Sequence, residues 1–152
     1  MPGLVLIGLA MLQPVLSAKA QDVERRNYVL SSDLRRDLDA HQFDVGQYEG
    51  TVNGIAEGLA SGNLAQVLDR ALPTIRVTDE GKNTLIAKGK LGALGQKLLN
   101  VPGLHDDVMD DQQTIVRGDE IGLARGTFWI SQACVDQACT QKKISLVTIN
   151  LP

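Results

Sequence analysis

The chain has 152 residues, 43% of them hydrophobic, which is enough for one domain with a core and argues against global disorder. Its formal net charge is -3, from 18 acidic and 15 basic residues, with no Lys/Arg cluster and only five aromatic side chains. Nucleic acid and an anionic membrane surface are therefore poor candidates as partners.

The first element is LVLIGLAMLQPVL, an apolar run broken by Pro14 and followed by SAKA, in which Ala18 and Ala20 bracket Lys19. Small residues in that spacing are what signal peptidase reads, so residues 1–20 are expected to be a cleaved signal peptide. Residues 21–152 are then a single α+β domain, periplasmic or secreted. No Lys or Arg precedes the apolar run, which departs from the usual pattern, and a buried N-terminal helix or a retained anchor are the alternatives. The run is too short to span a bilayer, so no stable membrane span is expected after cleavage.

After a lead-in over residues 21–30, SSDLRRDLDAHQF reads as a helix. Ser31 or Ser32 can cap it, Asp33 suits its positive end, and Leu30, Leu34, Leu38 and His41 form one stripe. Arg35 and Asp39 are spaced to pair on the outside. In the next segment Gly46, Gly50, Gly54, Gly58 and Gly62 recur every fourth residue, while Tyr48, Val52, Ile55 and Leu59 make an amphipathic stripe. Each interior glycine costs a helix about 1 kcal/mol relative to alanine. The expectation is a helix packed on two sides, whose bare flank admits another backbone and in which Gly54→Leu is strongly destabilising. SGNLAQVLDRALP reads as a short helix capped by Asn63 and ended by Pro73. TIRVTD and NTLIAK alternate around Glu80-Gly81-Lys82 and predict a hairpin. LGALGQKLLN predicts a further helix, and LHDDVMDD a helical turn.

From residue 113 onward the pattern is strand-rich: QTIVR, IGLARGTFWIS and KKISLVTINL. The last two flank CVDQAC. Cys134 and Cys139 have too many residues between them for a redox dithiol, and the two histidines lie far off in sequence, so a structural disulfide is the favoured reading in an oxidising compartment. So short a loop gives the bridge roughly 2 kcal/mol of chain-entropy stabilisation. If Cys134 directly opposes Cys139, Trp129 faces Ile144, Thr127 faces Leu146 and Arg125 faces Thr148. Arg125, Trp129, Thr148 and Asn150 then share one face. A bulge at Gly126 would break that register.

The order helices, hairpin, helix and antiparallel run resembles the nuclear transport factor 2-like superfamily, chiefly its uncharacterised secreted bacterial members. IAEGLASGNLAQVLDRALPTIRVTDEGKNTLIAKGKL carries the likeness, with GLARGTFWI and KKISLVTINL resembling the final strands. The resemblance covers roughly residues 45–150 and rests on layout. It implies a cone-like curved antiparallel sheet packed on N-terminal helices, often with an apolar pocket and often dimeric. Some members of that superfamily are isomerases or dehydratases with an Asp, His or Tyr in the pocket. No catalytic motif matches residue by residue here, so none is carried over.

Two functions compete. The first is an exported, non-catalytic module binding a protein partner or a small apolar ligand, with Arg125, Trp129, Thr148 and Asn150 as ligand contacts if their face lines a cavity. The second is a pocket enzyme using Asp44, His41 or Tyr48 as acid or base. HDDVMDD lacks the calcium-loop spacing and reads as an exposed acidic turn, so no metal and no cofactor are expected.

Overall fold

The computed structural model describes residues 28–152, so the signal-peptide assignment at 1–20 lies outside the described residues. Helix α1 (Ser32–Ala40) begins where its cap predicts, with the Ser31 hydroxyl accepting the Leu34 N–H at 3.3 Å. Leu34 and Leu38 are buried. The expected Arg35–Asp39 pair is not formed: Arg35 reaches Glu49 at 3.9 Å, and Arg36 pairs with Asp33 instead. His41 is the exposed residue ending the helix.

Helix α2 (Val45–Ser61) is capped by Asp44, which accepts the Gln47 N–H at 2.8 Å. Its stripe is buried as its spacing requires, with Tyr48 and Val52 fully enclosed. The glycine flank divides. A Cβ added at Gly58 would lie 2.6 Å from the Val67 nitrogen and 3.0 Å from the Asn63 carbonyl oxygen, so here another stretch of backbone does approach. At Gly50 the neighbour is the Arg70 guanidinium, and at Gly54 nothing lies within 4 Å. Gly54 instead opens onto a surface groove of about 470 Å³ between α2 and residues 63–70. The expectation for Gly54→Leu is therefore corrected, because the glycine that close packing requires is Gly58.

Helix α3 (Leu64–Val67) is shorter than its pattern suggested, and strand β1 (Ala71–Asp79) starts before Pro73. The ladder between β1 and its neighbour is interrupted between Ala71 and Arg76, so a residue without an N–H is tolerated there. Strand β2 (Lys82–Ala87) returns through Glu80-Gly81, both left-handed at φ 50° and 78°, as a two-residue hairpin turn demands. Helices α4 (Ala93–Leu99) and α5 (Leu104–Val108) follow.

The remaining strands are β3 (Ile115–Arg117), β4 (Glu120–Leu123), β5 (Phe128–Cys134) and β6 (Lys142–Asn150). IGLARGTFWIS is thus two strands. A single 3₁₀ turn, Ala124–Gly126, separates them, with all three residues left-handed. The left-handed region costs Ala124 and Arg125 roughly 1–2 kcal/mol each. Asn150 holds the turn from the far strand, its side-chain amide donating to the Gly126 carbonyl at 2.8 Å and its N–H to that of Thr127 at 2.7 Å.

The curved six-stranded sheet has the order β2-β1-β6-β5-β4-β3. All neighbours are antiparallel except β1 and β6, which makes the sheet mixed. Its inner face carries Ile75, Val77, Ile121, Phe128, Ile130, Leu146 and Ile149 in the same core as Leu38, Tyr48 and Val52 of the helices. The architecture is α+β, as its sequence pattern implies.

Cys134 and Cys139 form a disulfide, with Cα atoms 4.9 Å apart. The register built on them is corrected. Cys134 opposes Lys142 and Trp129 opposes Thr148, so Trp129 does not face Ile144. Two things cause the shift. Cys139, at φ 53°, lies inside a wider loop instead of on the ladder, and Asp136 closes that loop by accepting the Thr140 N–H at 2.8 Å. A bulge then falls between Trp129 and Ile130.

Inward alternation along β5 runs Phe128, Ile130, Gln132. Gln132 is 8% exposed, and neither its Oε1 nor its Nε2 has a hydrogen-bond partner among the described residues. A buried amide in that state costs roughly 1–3 kcal/mol.

Candidate functional site

The corrected register places one row of residues across the whole sheet. Leu85 pairs with Arg76, Arg76 with Thr148, Thr148 with Trp129, Trp129 with Gly122, and Gly122 with Ile115. Directly paired residues share a face. The next residue along each of β1, β6, β5 and β4 (Val77, Ile149, Phe128 and Leu123) is in the core, so the row lies on the outer face, away from the helices. Leu85 is 71% exposed and Ile115 40% exposed, at the two edges.

Trp129 is the centre of this row. A Cβ at Gly122 would meet its indole at 3.1 Å, so the ring packs this closely on β4 only because that position has no side chain. The Arg117 guanidinium carbon stands 5.5 Å from the ring centroid on β3. Such a cation–π contact is worth about 0.5–1 kcal/mol at an exposed site. The result is a half-buried aromatic platform with a cation beside it.

Of the four residues expected to share a face, Trp129 and Thr148 are paired. Asn150 pairs with Thr78, one step along the strands on the same face. Its amide holds the 124–126 turn. Arg125 is not part of a strand; it is exposed in that turn and donates from Nε to the Gln113 side-chain oxygen. Arg76, Arg117, Leu85 and Ile115 were not singled out in the sequence. Arg76 and Leu85 could have been, since both lie on the polar side of a hairpin whose alternation was legible.

The acid–base alternative finds a different setting. Asp44 and His41 are exposed at helix ends. Tyr48 is fully buried, its hydroxyl 3.1 Å from that of Tyr28, which donates to the Asp111 carboxylate. The other carboxylate oxygen of Asp111 accepts the Ser31 N–H at 2.6 Å. Burial pushes Tyr48 up to about 12. Burial, then the neighbouring Tyr48 and Asp111, push Tyr28 up as well. Both hydroxyls therefore stay protonated at neutral pH and are suited to tying the N-terminal end of α1 to α2 and to the segment after α5. Among the described residues no group of three or more His, Cys, Asp or Glu is placed to hold a metal ion, and no helix is long and apolar enough to cross a membrane.

No family model, curated protein or solved structure matches this chain.

Proposed function

We propose that this protein is an exported, non-catalytic binding module that holds a protein partner on the outer face of its sheet. The observation that carries the reading is the Trp129 platform, laid over Gly122 and flanked by Arg117, in a row that ends on the exposed Leu85 and Ile115 at the two sheet edges. Aromatic and arginine side chains are what partner-binding surfaces concentrate at their centres. A protein partner is favoured over a small apolar ligand because the inner side of the sheet is occupied by Tyr48, Val52, Phe128 and Ile149, all at most 2% exposed. The kinship with the nuclear transport factor 2-like superfamily belongs to the same proposal, supported by the order of helices, hairpin and curved sheet.

Export has a direct test. Native mass spectrometry without reductant, on protein from the exported fraction of the producing cell, is expected to give a mass starting at Gln21 and lighter by two hydrogens. A retained Met1 with free thiols would overturn export and require the cysteines to be reread.

The binding face is tested by photo-cross-linking from Ile115 in the producing cell. One discrete heavier species is expected. Leu85→Glu, which alters an exposed side chain, and Trp129→Ala are each expected to reduce its yield about tenfold, the equivalent of about 1.4 kcal/mol of binding. Cross-linking that is absent, or indifferent to both substitutions in folded protein, would remove this face as the site.

A further inference from the structure

We propose that strand β2 is the docking edge of the sheet and receives an extended, acid-flanked segment of the partner as an added antiparallel strand. The proposal deepens the outer-face reading and rests on it for the partner, since the row across that face ends at Leu85 on β2.

The backbone defines the edge. β2 is the outermost strand on one side of the sheet. The Glu80-Gly81 turn closes on a hydrogen-bonded pair, Asp79 with Lys82. Hydrogen-bonded pairs alternate from there, so Thr84 and Ile86 also turn their main-chain groups toward β1. Asn83, Leu85 and Ala87 turn theirs away from the sheet, and all three residues are exposed. Their N–H and C=O groups form the row that an incoming strand pairs with.

The two edges of the sheet are protected differently. At the far side β3 is three residues long and carries Arg117. β2 is six residues long, and its ladder to β1 runs without a bulge. From Asn83 to Ala87 it holds neither a charge nor a proline. Short length, charge, proline and bulges are the devices that keep an edge from pairing, and this stretch has none of them.

Charge selects the occupant. Lys82 and Lys88 stand at the two ends of the open stretch, with Arg76 paired to Leu85 on the outer face and Lys90 just beyond. None of these four cations is in an ion pair among the described residues. Of the acids in the hairpin, Asp79 is taken by Lys97, which leaves Glu80 in the turn. Acidic side chains at both ends of an added strand therefore find cations opposite them. The same charges disfavour a second copy of this chain. Antiparallel self-pairing through Asn83, Leu85 and Ala87 of both copies centres on Leu85 and sets Lys82 against Lys88 twice.

Ala87 supplies a clean block. Its φ, -61°, is the angle proline imposes, and its N–H points away from β1. It follows Ile86, whose strand conformation is the one that precedes proline readily. Ala87→Pro therefore removes an outward donor and puts a ring in the path of an added strand, without breaking a bond of the native ladder.

The probe is acetyl-Glu-Val-Thr-Val-Thr-Val-Glu-amide, long enough to run from Lys82 to Lys88, with the same peptide ending in lysines as control. Solvent exchange of the Asn83, Leu85 and Ala87 amide protons is read by nuclear magnetic resonance in the folded protein. The acid-ended peptide is expected to slow all three about tenfold at about ten times its Kd, and the lysine-ended peptide to leave them unchanged. Ala87→Pro, its fold checked by circular dichroism, is expected to abolish the slowing at Asn83 and Leu85, whereas Ala87→Val keeps it. The proposal is overturned if the acid-ended peptide leaves the three amides unprotected at millimolar concentration, if both peptides protect equally, or if Ala87→Pro retains full protection. Protection that rises with protein concentration in the absence of peptide assigns the edge to a second copy and overturns it too. The Ile115 cross-link reports separately. Peptide failure with that cross-link intact removes strand addition alone, while loss of the cross-link with peptide protection intact removes the outer face and leaves β2 as the site.

Discussion

Gly58→Ala is expected to destabilise the protein by about 2 kcal/mol or more, while Gly54→Ala, one turn away on the same flank, stabilises it by up to about 1 kcal/mol. The two substitutions add the same atom to the same helix. At both sites alanine restricts the unfolded chain and improves helix propensity. At Gly58 the new Cβ would lie 2.6 Å from the Val67 nitrogen, and that atom belongs to the backbone of α3, which cannot rotate away. Relief requires moving α3, and Val67 and Leu68, both buried, move with it. At Gly54 the new atom meets nothing within 4 Å. Thermal or urea melts of the two variants against the parent check this. A change of 1 kcal/mol moves the midpoint by about 4 °C in a domain of this size, so the pair should separate by about 8 °C or more, and by about 12 °C where Gly54→Ala gains its full 1 kcal/mol. Equal melting temperatures would mean that α3 is not held against α2 at Gly58.

The glycine case shows how far the sequence could be read. The spacing of Gly50, Gly54 and Gly58 reveals a bare flank, because helical periodicity is a local property. Which of the three meets a neighbour depends on where the chain turns after Gly62, and a three-dimensional path of that kind leaves no periodic trace. Local chemistry was legible elsewhere for the same reason: Ser31 caps α1, and Glu80-Gly81 turns the β1–β2 hairpin. The β5–β6 register was not. Two cysteines five apart are compatible with a ladder pair and with a bridge inside a wider loop, and the Asp136–Thr140 turn decides for the loop. That shift put Thr148, not Ile144, beside Trp129. The unpartnered Gln132 did have a signal, since Phe128 and Ile130 facing inward commits residue 132 to the same side. The contact of Tyr28 with Asp111, 83 residues away, had none.

The tyrosine network gives a distinct dependence on alkaline pH. An unfolded tyrosine ionises near 10, whereas Tyr48 in the folded protein does so at about 12, because ionisation would place a phenolate in the core. Below the unfolded value both states keep the proton, and stability is independent of this group. As pH rises from about 10 to 12 the unfolded chain releases a proton that the folded chain must retain, so folding stability falls. A shift of two units corresponds to about 3 kcal/mol, lost progressively across that window. Tyr28 shifts in the same direction and steepens the loss. These are the two tyrosines of the chain, and both are in the network. Tyrosinate absorbance is therefore expected to stay low past pH 10 and then to rise together with unfolding, measured in the same samples by far-ultraviolet circular dichroism. Tyr48→Phe provides the control. At neutral pH it loses a hydroxyl pairing worth about 1 kcal/mol, but its stability should fall less steeply between about pH 10 and 12 because one of the two shifted groups is gone. A tyrosinate signal that titrates at pH 10 while the circular dichroism stays native would mean that the Tyr28–Tyr48 pair is open to solvent and does not tie α1 to α2.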